Sequence, residues 1–219
     1  MDNLERYKAY REFERILIGT KIMNYINSSI DKQVILNSAR ILGMLDTNGN
    51  IAPKADSEMM FLLDFVIHEY KVNGKTMVQL YRENVGSENE IEEDILKALD
   101  NSYLSLFRVV NLSPSKNLVF LKDVFNRVKN VRLTDISFSQ TGDTDTLLFT
   151  RILPYEDLNI TSGMAATFPS IVEDRVLIEY KRVCKEMNLA EEIDSESVRM
   201  LISFFHFNRE IGTPVKYDW

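Results

Sequence analysis

The chain has 219 residues, 45% hydrophobic and 27% charged, a composition that excludes an unfolded polyelectrolyte and supports a packed core in one large or two small domains. A formal charge of -7, from 26 basic and 33 acidic residues, argues against a protein that coats nucleic acid over its whole surface. No run reaches the roughly 18 apolar residues of a membrane span, the start "MDNLERYKAYREFER" lacks the apolar core of a secretory signal, and the single Cys184 cannot close an internal disulfide, so a cytoplasmic location without a membrane partner is expected.

From Leu4 to about Ile26, the residues Leu4, Tyr7, Phe13, Ile16, Leu17 and Met23 recur at helical steps. The pattern returns over Gln33 to Leu45, preceded by capping residues in "NSSIDK". A third helix is expected from Ser57 to Tyr70, capped by Asp56; its run "MMFLLDFVIHEY" is apolar on nearly all sides, which marks the centre of a core. The turn "VNGKT" leads to a helix from Thr76 to Val85, and "SENE" pairs Ser87 with Glu90 as a capping box for a helix from Glu88 to Leu99.

Beyond Asn101 the runs "YLSLFRVVNL", "NLVFLKDVF", "NVRLTDISF", "TLLFTRILPY" and "LNITSGMAATF" are short and rich in β-branched and aromatic residues, which predicts five antiparallel strands. With short turns, these most simply form a meander that curls into a small barrel, because an open sheet leaves unpaired edges. Helix resumes at "PSIVEDRVLIEYKRVCKEMN", with Ser170 and Glu173 as a second capping box, and again from Ser195 to Phe207, stopped by Gly212 and Pro214. The expected class is α+β: a helical domain over residues 1–100, a five-stranded antiparallel barrel-like unit over 101–169, and two C-terminal helices over 170–219 packing on the N-terminal half.

Candidate sites follow from side-chain chemistry. "LDTNGNIAPKADSEMMF" places oxygens at Asp46, Asn48 and Asn50, but a calcium loop needs glycine at its sixth position and glutamate at its twelfth, where Ile51 and Ser57 stand; a helix-joining turn fits better. Asp64 and His68 lie four apart, with His206 as a possible third metal ligand, yet no dense ligand motif is present. Asp123, Asp135, Asp143 and Asp145 are spaced for turn and strand-end bonding to their own backbone as readily as for magnesium. Cys184 sits in an apolar helical stripe, and Ser162 before Gly163 suits a bend; no catalytic residue and no cofactor emerge.

"FLKDVFNRVKNVRL" interleaves Lys122, Arg127, Lys129 and Arg132 with Phe120 and Phe125, the combination that grips single-stranded nucleic acid on small barrels. It lies in residues 101–170, the one segment where basic side chains outnumber acidic ones, 7 against 6. In order, "SLFRV", "FLKDVF", "SFSQTGD", "FTRILPY" and "TSG" resemble the strand-rich segment of uncharacterised bacterial proteins that sometimes carry a Cys-rich, zinc-binding SEC-C tail. The resemblance covers about residues 102–168 and implies the strand unit; the tail's cysteines are lacking, so zinc and an adaptor role do not carry over. The leading expectation is a non-enzymatic protein-interaction or regulatory module, with an unknown protein or a second copy as partner and Tyr217 and Trp219 as contact-prone residues. The alternatives are a nucleic-acid-binding module using the basic hairpin and a metal-dependent enzyme using Asp64, His68 and His206.

Overall fold

A computed structural model describes residues 3–31, 33–191 and 194–213. Its backbone contacts divide the chain into two units, residues 1–101 with 190–194, and residues 102–189 with 195–219.

The first unit is helical: α1 (Asn3–Ile16), α2 (Met23–Ser29), α3 (Gln33–Ile41), α4 (Ser57–His68), α5 (Met77–Asn84) and α6 (Glu90–Asp100). A π-helical turn, Leu17–Ile22, joins α1 to α2. Its cause is legible in the burial pattern: Tyr7, Tyr10, Glu14 and Leu17 are inward at steps of three and four, but the next buried side chain, Ile22, lies five residues on. A wider turn re-phases the stripe so that Leu17 and Ile22 both face inward, while Ile16, expected in the apolar stripe, falls on the opposite side of α1 and is 39% exposed. Helix α4 is the centre of this unit, with Phe61, Leu62, Phe65, Val66 and Ile67 all buried, as its all-round apolar sequence requires.

The caps differ from expectation where a better acceptor lies nearby. Thr76 and Gln79 form a reciprocal capping box at α5. At α6, Asn89 rather than Ser87 accepts from the amide of Glu92, and Ser87 donates to the Glu93 carboxylate. Asp56 makes no side-chain cap on α4; the Glu58 carboxylate takes the Lys54 amide.

The second unit contains β1 (Tyr103–Ser113), β2 (Leu118–Asp123), β3 (Val131–Thr134), α7 (Ile136–Thr141), β4 (Thr146–Pro154), β5 (Asn159–Pro169), α8 (Glu173–Glu186) and α9 (Glu196–Ile211). All five expected strands form, but not as an antiparallel meander. Pairing runs β1-β2-β3-β5-β4 and returns from β4 to β1. Every pair is antiparallel except β3 with β5, a parallel contact at the single register pair Leu133 with Asn159. The sheet is therefore mixed and barrel-like, laddered around most of its girth and only pinned at one seam.

The departure has one origin. "DISF", the end of the expected third strand, alternates polar and apolar residues and reads as strand, yet Asp135 accepts from the Phe138 amide at 2.8 Å and starts α7 instead. That helix carries the chain away from β3, so β4 pairs on the far side with β1 and β5 fills the place between. Phe138 packs against the sheet interior, which is formed by Phe107, Val109, Val119, Leu121, Val131, Leu133, Leu148 and Ile152.

Helices α8 and α9, expected on the N-terminal half, belong to the sheet's unit. Phe204 of α9 stacks on Phe149 of β4 with centroids 4.3 Å apart and meets Phe168 of β5 edge-on at 6.0 Å. The apolar side chains of α9 thus cover the outer surface of β4 and its neighbours. Ser195 caps α9 as expected, but Ser170 does not cap α8, whose first residue, Glu173, is drawn to Arg108. Gly212 ends α9; Pro214, Tyr217 and Trp219 lie outside the described residues.

Buried Glu14 supplies a test of the first unit. Desolvation raises its carboxyl pKa to about 7, against the opposing pull of Arg11 at 3.4 Å. A carboxyl raised in the folded state costs stability as pH climbs from about 4.5 to about 7 and costs it fully above that. Glu14→Gln is expected to stabilise the protein by up to about 3 kcal/mol at pH 8, with the advantage fading towards pH 4.5, read by urea unfolding across that range. A difference that does not vary with pH would contradict this assignment.

Candidate nucleic-acid interface

Strands β1, β2 and β3 carry the candidate site because strand residues alternate between two sides. Phe107 and Val109, Val119 and Leu121, and Val131 and Leu133 all face the interior. Arg108, Phe120, Lys122 and Arg132 must therefore face out. The register makes them neighbours: Arg108 stands opposite Lys122, and Phe120 opposite Arg132. Opposed Cβ atoms in such pairs are roughly 5 Å apart, so one half-buried ring and three cations share a patch. Lys122, Lys129 and Arg132 are exposed and make no side-chain ion pair among the described residues.

Arg127 does not join them. Its Nη2 donates to the Ser105 hydroxyl at 3.0 Å and its Nη1 pairs with Glu196 at 3.1 Å, while the guanidinium lies 4.8 Å over the Phe125 ring. Phe125 in turn packs edge-on against Tyr180 at 5.4 Å. The alternation of aromatic and basic residues in the sequence thus resolves into two groups: Phe125 and Arg127 tie the β2–β3 turn to the helices, and Phe120 with Lys122, Lys129 and Arg132 faces outwards.

Asp123 positions that turn. Its buried carboxylate accepts from the Ser105 hydroxyl at 2.5 Å and from the amides of Phe125, Arg127 and Val128 at 3.2, 2.7 and 3.1 Å. Asp135 is committed to α7, and Asp143 accepts from the Asp145 amide at 3.0 Å. Each of these acids is spent on local backbone rather than on a shared cation.

The remaining candidates are placed as follows. Asp46 accepts from the amides of Asn48 and Asn50, both at 2.8 Å, and the Asn50 amide above all holds its carboxyl below the usual range. With Gly49 at a φ of +82° and Leu45 bridged to Ile51, the segment is a closed turn rather than an ion loop. Asp64 is buried in α4, His68 is half-buried one turn later, and His206 is exposed on α9 in the other unit. Among the described residues, no three His, Cys, Asp or Glu side chains are grouped to hold a metal ion. An open recess of about 520 Å³ at the start of α6 is lined by Glu88, Glu90, Glu93 and Asp94 with Lys97, and contains none of the candidate residues. Ser162 lies within β5 beside Gly163, whose φ of +89° sits near the irregular pairing of β4 and β5.

A model describing a family of unknown function, DUF7986, matches residues 1–218. The chain belongs to that family. The match spans both units, not only the strand-rich third over residues 102–168. Comparison with curated proteins and with solved structures finds no match. Among the described residues of this DUF7986 member, no helix is long and apolar enough to cross a membrane.

One residue of the patch escaped the sequence reading. Arg108 is a charge inside the otherwise apolar "SLFRVV", and the strand period alone puts it on the outer side; a single cation in an apolar strand carries little signal beside the denser basic run that follows. Its guanidinium is gripped by Glu173, with Nε to Oε2 at 3.0 Å and Nη2 to Oε1 at 2.5 Å.

Removal of the Asp123 carboxylate should matter far more than removal of a cap. Asp123→Ala orphans three turn amides and the Ser105 hydroxyl and is expected to cost about 3 kcal/mol, against about 1 kcal/mol for Asp135→Ala at the start of α7. Equilibrium urea denaturation of the two variants reads the contrast, and equal losses would count against the central place given to Asp123.

Proposed function

We propose that the second unit is a non-enzymatic binding module whose outer β1–β2–β3 face takes single-stranded nucleic acid. The connectivity supports this reading. A three-stranded meander, a helix, a fourth strand returned to the first and a fifth inserted beside the third make the topology of the OB-fold. That partly open five-stranded barrel uses the face around its second and third strands for oligonucleotides or oligosaccharides. The observation that carries the proposal is Phe120 set between Lys122 and Arg132 on that same face. An aromatic ring stacks on any base, and flanking cations select a phosphate backbone over a neutral sugar.

The net charge of -7 makes the attraction local. Exposed Glu156 and Asp157 in the β4–β5 turn adjoin Asn159, at the parallel seam, and repel a polyanion at that end. A bound strand is therefore placed towards Lys122 and Lys129. On the same footing we read residues 102–168 as a module shared with the bacterial proteins that carry SEC-C tails, and a reducing cytoplasm as the compartment suited to the lone Cys184.

Fluorescence anisotropy with a labelled oligothymidine tests the face. Wild-type binding is expected to weaken with salt, and the Lys122→Ala, Lys129→Ala, Arg132→Ala triple variant to lower the slope of log K against log salt by about 2, at roughly 0.7 per phosphate contact. Phe120→Ala is expected to weaken binding about tenfold with the slope unchanged. No binding at low salt refutes the proposal.

A second reading, contact with a protein partner or a second copy, is favoured by Ile171 and Ile178, 91% and 69% exposed on the α8 side of the unit. Sedimentation velocity should then show a concentration-dependent species that Ile171→Asp with Ile178→Asp abolishes; a monomer at every concentration would remove self-association.

A further inference from the structure

The Arg108–Glu173 pair deepens the nucleic-acid reading and rests on it. Arg108 and Lys122 are directly opposed in the β1–β2 ladder, on the outer face. Like charges so placed repel, and a nearby anion offsets that repulsion. Glu173, the first residue of α8, supplies it: both its oxygens lie against the Arg108 guanidinium, at 2.5 Å to Nη2 from Oε1 and 2.6 Å from Oε2, with Nε at 3.0 Å. The guanidinium fork reads carboxylate and phosphate with the same parallel donors. Arg108 nonetheless keeps 41% of its side chain exposed, whereas Glu173 keeps only 17%, so the cationic side chain stays in reach of solvent while its partner is largely covered.

We propose that Arg108 is a further phosphate-binding residue of this face and that the Glu173 carboxylate stands where a backbone phosphate binds. The chain's own acid neutralises the Arg108 and Lys122 pair in the free protein. A phosphodiester arriving on Lys122 and Arg132 competes with it for the guanidinium. Wild-type affinity is accordingly lower than the cations of the face allow, and the difference is set by one carboxylate. Alternate charge partners of this kind make binding sensitive to what holds the first turn of α8, which follows a short 3-10 turn where Ile171, two residues before Glu173, is 91% exposed.

A double-mutant cycle separates this from a helix-docking ion pair. Oligothymidine binding is measured by anisotropy for wild type, Glu173→Gln, Arg108→Gln and the double variant across a salt series, with thermal melting to show that each is folded. Glu173→Ala serves as a second charge-removing variant if the glutamine form melts early. Release of Arg108 is expected to raise affinity roughly tenfold and to steepen the salt slope by about 0.7, and both gains should vanish in the Arg108→Gln background. Equal gains with and without Arg108 reduce Glu173 to a nearby repulsive charge and overturn the inference. Wild-type binding unaltered by Glu173→Gln overturns it while leaving the nucleic-acid reading intact. Failure of every variant, Glu173→Gln included, to bind at low salt removes both.

Discussion

The Asp123 carboxylate is the constraint on which the second unit depends. It is 2% exposed at the end of β2 and takes a hydroxyl and three backbone amides. Those amides belong to the turn into β3, whose residues pair with no strand, so the carboxylate supplies the acceptors that a ladder would otherwise give. By closing that turn, Asp123 sets which way Arg127 leaves the backbone and where β3 begins. The outward position of Arg132 opposite Phe120 is a consequence of the same register. A carboxylate that looks in sequence like a candidate metal ligand is therefore a scaffold for the cations around it.

Coverage then divides the sheet's outer surface into two parts. Phe204 stacks on Phe149 and meets Phe168, so α9 removes that part of the sheet from water. The remaining part, over β2, β3 and β1 from Arg108 onwards, carries Arg108, Phe120, Lys122 and Arg132, side chains unsuited to a dry helix interface. What makes a face available for a ligand is the absence of an apolar stripe on it. The polar outer positions of β2 and β3 and the apolar outer positions of β4 are complementary expressions of one packing decision. Net acidity of the whole chain does not contradict a basic patch of this kind, because screening confines the field of each cluster to about a Debye length.

Much of the fold was legible in the residues themselves. Five strands, the helical half and the two closing helices follow from the change of hydrophobic period near Asn101 and back again near Pro169. The turn at Asp46 and Gly49 was legible because calcium geometry has strict positions that the segment fails to meet. The basic run at Lys122, Lys129 and Arg132 could be singled out from composition alone. Its separation from Arg127 and Phe125 could not, since both groups share the same spacing and differ only in what stands beside them after folding.

Local pattern alone determined most element types, the α+β class and the side of each strand on which a residue falls, because alternation and helical period are properties of neighbouring residues. Tertiary structure decided strand order, the insertion of α7, the π turn that lets Leu17 and Ile22 both face inward, and the partner of Arg108 on the candidate face. Those outcomes depend on groups far apart in the chain, such as Arg108 with Glu173 and Asp123 with Ser105, and on competition between a strand-like alternation and one capping bond at Asp135. Short-range order cannot rank such contacts, because their strength comes from burial and register that exist only once the sheet has curled.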